Sequence, residues 1–459
     1  MKKYAVGFVG LLVLVLGTSL DAQKISSRAA SRMERLTAKG DLEAIQELVR
    51  QGTVLKNEAP SVLLQAAISK GRLEVLRYFA SQGVDLKAPV TGPNGITSAF
   101  LLAVDLGEVE IAKFLVSQGL DPHEKLRNGA NALFLAILDE DIDMLKFLLT
   151  QKLDINTLGK VPNIALIKAI CSTEPQLAIL LIENGADVNL AGNSGIPPLW
   201  YAIHEEKREL VQALLEHGAK VNALDDSGTS PLIQAVNTKN LEIVQCLLDH
   251  GADLKATTRD RWTALHLAAF DGNLAMCRLL VEKGADLHAL TDCDRNVLAF
   301  AADSGNLELV RFFLSKGVDV QYKTFYGENL LFSAARSGNL PLFQFLQKQG
   351  LDIQAKNHWG HSVLHFASVS LNVDLVRYLV EQGLEVNAMN QDGYTPLDIA
   401  KSASNNDKVI SYLRSVGGKT AKMFIFPTRD PSDIDDDGDE EALPSFSMGG
   451  MGGGLGGFM

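Results

Sequence analysis

The sequence predicts an all-α solenoid, built of stacked helix-turn-helix units with short β-hairpin loops between them. Three observations lead there. Thr258–Leu290, TRDRWTALHLAAFDGNLAMCRLLVEKGADLHAL, holds two short helical patterns, split by Gly272-Asn273 and closed by Gly284. Neither helix could bury its apolar face alone, whereas stacked copies could. The closing glycine recurs at Gly185, Gly218, Gly251, Gly284, Gly317, Gly350 and Gly383, at a constant step of 33 residues. After these glycines come variants of one phrase: GADVN at 185, GAKVN at 218, GADLK at 251, GVDVQ at 317 and GLEVN at 383.

Each part of the unit has a local reason. Thr263 and Thr395 are placed to cap first helices by accepting a backbone N–H. Pro198, Pro231 and Pro396 fall at first helical positions, where no N–H is missed. The terminal glycine supplies the left-handed residue that stops the second helix. The apolar spacings of both helices fit contacts with neighbouring units. Upstream, Lys152 takes the glycine place, then Gly119, and Gly83 and Gly52 follow at looser spacings of 36 and 31.

First helices open with TALHLAA at 263, SPLIQA at 230, SVLHFA at 362 and TPLDIA at 395, and second helices with GNLELV at 305 or NLEIV at 240. The chain thus resembles the ankyrin repeat family over Ala29–Gly418, in twelve units. Stability in such an array is close to a sum of unit and interface terms, and the end units act as caps. The first unit, SRMERLTAKGDLEAIQELVRQG, is charge-rich, as an N-terminal cap should be. The match is weakest at 152–189, where Pro175 stands in place of GNLE; a proline at a helix start is tolerated, so this reads as a variant unit.

Three segments follow: 1–22, 23–418 and 419–459. In the first, Lys2 and Lys3 precede the apolar run AVGFVGLLVLVLG, and Leu20 and Ala22 suit a cleavage site. That order describes a secretory signal peptide, with an uncleaved membrane anchor as the alternative, since the run from Tyr4 to Leu20 is near the short limit of ~17 residues for a span. Its short, lysine-led form points to a bacterial chain that is periplasmic or secreted. The last segment carries eight acids against three bases, then MGGMGGGLGGFM, and is expected to be disordered. Met423, Phe424, Ile425 and Phe426 are placed to shield the last unit.

The formal net charge is −12, which argues against nucleic acid and against an anionic membrane surface as partners. Four cysteines, Cys171, Cys246, Cys277 and Cys293, sit at non-equivalent places in their units. They read as buried small hydrophobes plus one loop thiol, Cys293. Asp433–Gly438 resembles the start of a calcium loop, but the twelfth place, which needs a glutamate, is Pro444. Gly418-Lys419-Thr420 lacks the earlier glycine of a phosphate loop, since Leu413 stands there. His358, His361 and His365 form the one tight histidine cluster, and a metal-binding or enzymatic reading would centre on it. Against that, His365, like His266, opens a first helix and there serves hydrogen bonding between neighbouring loops. No cofactor is expected.

The family resemblance implies a concave face, made by loop tips and the exposed side of first helices, that binds other proteins. Aligned units put Arg259, Asp260 and Trp262 there in the eighth unit. Asp292 follows in the ninth, Phe325 and Tyr326 in the tenth, His358 and Trp359 in the eleventh, and Tyr394 in the twelfth. Earlier units carry Asn193, Ser194, Asp226 and Ser227 instead. Aromatics at equivalent tips are costly unless used, and Trp and Tyr are enriched at binding hot spots. Packing between adjacent loops is the competing use. The sequence therefore predicts a non-catalytic, exported, monomeric scaffold for an unidentified protein partner, with a secreted effector that binds a host protein as the runner-up.

Overall fold

The computed structural model describes residues 31–51, 60–92, 96–127, 129–158, 161, 162, 164–192, 195–225 and 227–421. The 1–22 segment, Gly52, Asn193, Ser194, Asp226, Met423–Phe426 and Asp433–Gly438 lie outside these residues. Contacts divide the chain into two bodies: Met1–Ser227 with Glu242–Ala252, and Gly228–Leu241 with Asp253–Met459.

Both bodies are built from antiparallel helix pairs. In the N-terminal body, Ala99–Asp105 precedes Val109–Ser117, Ala132–Leu138 precedes Ile142–Leu149, and Pro198–His204 precedes Arg208–Glu216. In the C-terminal body the pairs are Ala264–Phe270 with Leu274–Glu282, Val297–Asp303 with Leu307–Ser315, Leu330–Ser337 with Leu340–Lys348, Val363–Ala367 with Val373–Glu381, and Pro396–Ser402 with Asp407–Ser415. The all-α repeat solenoid is as the 33-residue period predicts. The hairpins are slighter than expected: among the described residues, pairing is limited to Thr157–Leu158 against Val161–Pro162 and to isolated bridges such as Thr257 with Thr263 and Lys356 with Ser362. A single backbone bond closes each loop, such as Asn357 N–H to His361 O at 3.0 Å and Asn390 N–H to Tyr394 O at 3.1 Å, and side chains reinforce it. Asn357 Oδ1 accepts the N–H groups of Trp359 and His361, and Asn390 Oδ1 accepts that of Tyr394 at 2.8 Å.

Thr263, Ser230, Asn296 and Asn329 cap first helices, and Pro198, Pro231 and Pro396 occupy first turns. First helices are almost wholly buried; Val297, Leu298, Ala299, Phe300, Ala301 and Ala302 are all buried. Second helices bury one stripe, as Met276, Cys277, Leu279 and Leu280 do. The charge-rich first unit also builds a core, in which Met33, Ile45 and Leu48 meet Leu63, Val75 and Phe79.

The closing glycines have φ between 74° at Gly83 and 95° at Gly284. A Cβ at Gly284 would meet nothing within 4 Å, so torsion rather than space selects glycine. Lys152 adopts the same conformation at φ 54°, as its place in the period requires. A second left-handed place, between the two helices of a unit, passes from Glu140 through Glu206, Lys239, Gly272, Gly305 and Gly338 to Leu371.

That second turn is tied across units. Asn306 caps its own helix, accepting from Leu309 N–H at 3.1 Å, and donates Nδ2 to the Gly272 carbonyl at 2.9 Å. Asn339 and Asn372 donate likewise to Gly305 and Gly338, each at 2.8 Å. In the variant unit the partners differ. Thr173 donates N–H to Glu140 Oε1 at 3.0 Å, and Lys207, at the asparagine place, donates Nζ to Ile170 O at 2.6 Å and also to Ser172 O. The ammonium thus meets the carboxyl end of helix Ile164–Cys171, where the macrodipole favours a cation.

Two stability outcomes follow. Lys152→Gly should stabilise the N-terminal body by about 1 kcal/mol, since a left-handed non-glycine costs about 1–2 kcal/mol and glycine's greater unfolded freedom returns part of that. Leu280→Ala, at a fully buried site, should cost about 2–5 kcal/mol, with the loss concentrated in adjoining repeats. Urea unfolding curves check the first; residue-resolved hydrogen exchange checks where the second falls.

Candidate protein-binding face

The loops of the C-terminal body are positioned by two buried histidines. Thr263 caps Ala264–Phe270, and its backbone N–H donates to His266 Nδ1 at 3.1 Å. This places the imidazole proton on Nε2, which donates to Ala289 O in the next loop at 3.0 Å. His365 repeats the arrangement, with Ser362 N–H on Nδ1 at 3.0 Å and Nε2 toward Tyr394 O at 3.2 Å. Burial lowers both imidazoles to about 4, with the acceptor carbonyls opposing it.

The histidines of the 358–365 cluster are put to separate uses. His365 has both ring nitrogens engaged, and His361 Nε2 accepts from Asn390 Nδ2 at 2.9 Å. Burial also lowers the His361 imidazole, while Asp392 opposes that shift. His358 is exposed at a loop tip, its ring against Gly327. Among the described residues, no group of three or more His, Cys, Asp or Glu side chains could hold a metal ion.

The loop tips are laddered. Asp292 N–H donates to Asp260 O at 3.3 Å, His358 N–H to Tyr326 O at 2.9 Å, and Gln391 N–H to Trp359 O at 2.9 Å. The aromatics do not share one loop place, as the unit alignment suggested. Trp262 and Tyr394 each stand just before a cap; Tyr326 and Trp359 share the tip; Phe325 shares its place with His358. Trp262 is half-buried, with its ring 4.4 Å from Phe300 and 5.7 Å from Phe270, so it packs on the first helices. Tyr326 stacks on Trp359 at 4.4 Å, and Phe325 stands edge-on to Tyr326 at 5.4 Å. Phe325 is 64 % exposed, Tyr394 42 % and Trp359 38 %. Arg259 and Asp260 are exposed two loops before Phe325, and Asp292, on the loop between, lies 3.8 Å from Arg261.

Sequence reasoning missed a charged chain on the first helices beneath the loops. Asp303 pairs with Arg295 and, at 2.9 Å, with Arg336, which also lies 3.6 Å from Glu328. Asn357 Nδ2 continues it, donating to Glu328 Oε1 at 3.0 Å. Each arginine also covers a ring: Arg295 lies 4.2 Å from the Phe300 centroid and Arg336 4.9 Å from that of Phe366. The signal was present as alternating signs at two 33-residue places, Arg295 with Glu328 and Asp303 with Arg336.

The cysteines are all free. Cys246 and Cys277 are buried, and burial pushes the Cys277 thiol up to about 12. Cys171 departs from the buried role expected of it: it ends helix Ile164–Cys171 and is exposed. Cys293 is half-buried, with Sγ 3.7 Å from the Tyr326 hydroxyl.

The two capping histidines set a pH dependence. Between about 4 and 6.5, the unfolded chain binds protons that folded His266 and His365 refuse, so stability rises with pH across that window. Lowering the pH from 7 to 4.5 at constant ionic strength should cost roughly 2 kcal/mol per imidazole. Urea midpoints of wild type and of His266→Gln with His365→Gln check this; the variant should show the flatter profile.

A family model described as ankyrin repeats, three copies long, matches seven overlapping windows, from 100–192 to 331–422, which together run without a break from 100 to 422. No curated protein matches the chain. Ankyrin repeats generally mediate protein–protein interaction. With its helix pairs, capped first helices and left-handed turns all in the register of those windows, the chain belongs to the ankyrin repeat family.

Proposed function

We propose that the chain is an exported, non-catalytic, monomeric scaffold that holds a protein partner against the loop tips of its C-terminal repeats. The observation that carries this is the aromatic platform at adjacent tips. Phe325, Tyr326 and Trp359 are ordered by ring contacts and backbone hydrogen bonds, yet Phe325 and Trp359 keep much of their surface in solvent. Rigid, half-exposed rings lose little freedom on binding, which is how aromatic anchors become hot spots. Trp262 leaves this set, because its ring is used in packing. A non-catalytic role is supported by the chemistry of the candidate nucleophiles and bases. The His266 and His365 imidazoles are tied into caps, and the Cys171, Cys246 and Cys277 thiols are all raised by burial. Export rests on Lys2, Lys3 and the apolar run that follows them.

Two outcomes are expected. Protein recovered from its native compartment should begin at or within a few residues of Gln23; Met1 retained on cytosolic protein would refute export. Tyr326→Ala with Trp359→Ala should weaken capture of the leading partner by at least about 2 kcal/mol per anchor. The same variant should lose about 0.5–1.5 kcal/mol of stability for the stacked pair, beyond the area the two rings bury. Early thermal unfolding together with normal capture by the folded fraction would make these rings packing residues and move the binding surface elsewhere.

A further inference from the structure

The rings of the C-terminal body are repeatedly covered by guanidinium groups. Arg278 lies 4.9 Å from the Phe312 centroid, Arg311 5.0 Å from Phe345 and Arg377 5.0 Å from Tyr412. On the first-helix side, Arg295 and Arg336 do the same for Phe300 and Phe366. Among the described residues, no such cation lies over Phe325, Tyr326 or Trp359. These include two of the most exposed rings in the body. Acids stand in register with the two exposed rings, while Lys323 and Lys356 occupy earlier places in the same loops. Asp292 stands at the Phe325 place one loop earlier, and Asp392 stands at the Trp359 place one loop later. Both are exposed, and Arg261, the cation on Asp292, is 3.8 Å away with most of its own surface in solvent. Ring faces attract cations, and a guanidinium keeps its charge at any physiological pH while lying flat on a ring.

We infer that the platform of Phe325, Tyr326 and Trp359 is a receptor for an arginine side chain presented by the partner, with Asp292 and Asp392 bracketing the guanidinium. The inference deepens the protein-binding reading of the same face and rests on it. It makes the partner complete a pattern that the repeats elsewhere complete for themselves. It also assigns the parts: the rings give the contact its preference for arginine, and the acids give it salt dependence.

The test uses the full chain and a fluorescein-labelled peptide with three arginines spaced by glycines, titrated by polarisation, alongside the same peptide with citrulline in place of arginine. Citrulline keeps the shape and removes the charge. Wild type should bind the arginine peptide at least about tenfold more tightly than the citrulline one. Phe325→Leu with Trp359→Leu should lose at least tenfold, and Asp292→Asn with Asp392→Asn about threefold, with a shallower salt dependence. Phe325→Leu alone, at a 64 % exposed site, guards against a folding artefact and should still lose severalfold. Equal binding of the two peptides, no binding of the arginine peptide, or equal affinity of the leucine variants and wild type would each overturn the inference. The last outcome would mean general attraction to an acidic chain. If the peptide result fails while partner capture still depends on Tyr326 and Trp359, the protein-binding reading stands and only the arginine assignment falls.

Discussion

The structure depends on a backbone constraint that recurs along the C-terminal repeats: the turn between a repeat's helices must pass through a left-handed residue and still satisfy its carbonyl. Asn306, Asn339 and Asn372 meet it from the following repeat, each amide capping its own helix while donating back to Gly272, Gly305 or Gly338. One side chain therefore does two jobs whose geometry agrees only if neighbouring repeats sit at a fixed offset. The apolar stripes would stack at many offsets; the directed amide bond narrows them. His266 and His365 impose the same discipline at the other end of the first helix, where one ring nitrogen closes the cap and the other reaches the next loop. The helices are pinned at both ends, and what lies between can be nearly pure hydrocarbon.

Because these ties lie at the helix ends, the loop tips are free to vary. Tip-to-tip backbone bonds at His358 and Gln391 hold the ladder without reference to side-chain identity. A platform such as Phe325, Tyr326 and Trp359 can then be mounted on it at little cost to the stack. The charged chain beneath, Arg295–Asp303–Arg336–Glu328, is different in kind: its members are mostly buried and mutually paired, so it belongs to the scaffold. Removing one partner would leave a charge without compensation, which costs far more than the pair itself is worth.

The fold was legible because its period holds at 33 residues from Gly119 to Gly383 and because caps and left-handed glycines have single physical causes. Lys152 shows how far that legibility goes: the period alone assigned it a glycine's conformation, and it has one at φ 54°. The inter-repeat role of the LH histidines was also readable, since its residues lie three apart in one cap. Less was readable of the face. Trp262 and Tyr326 fall in equivalent loops two repeats apart, but they stand two places apart in register and their rings go to opposite uses, one into the first helices and one to the tip. Composition cannot separate these. Lys207 was invisible for another reason: it substitutes for an asparagine by reaching carbonyls 35 and 37 residues earlier, and a long flexible side chain leaves no pattern.

The central claim is that the tips of the C-terminal repeats are attached to the stack but are not part of what holds it together. Native-state hydrogen exchange addresses this most directly, because it gives an opening free energy for each amide. The Phe300 and Phe332 amides, in buried first helices, should exchange only through the largest opening of that body. The His358 and Gln391 amides, bonded tip to tip, should exchange through a local opening well below it. Equal protection at all four would contradict the account, since the tips would then unfold only with the stack and their aromatics would belong to its stability.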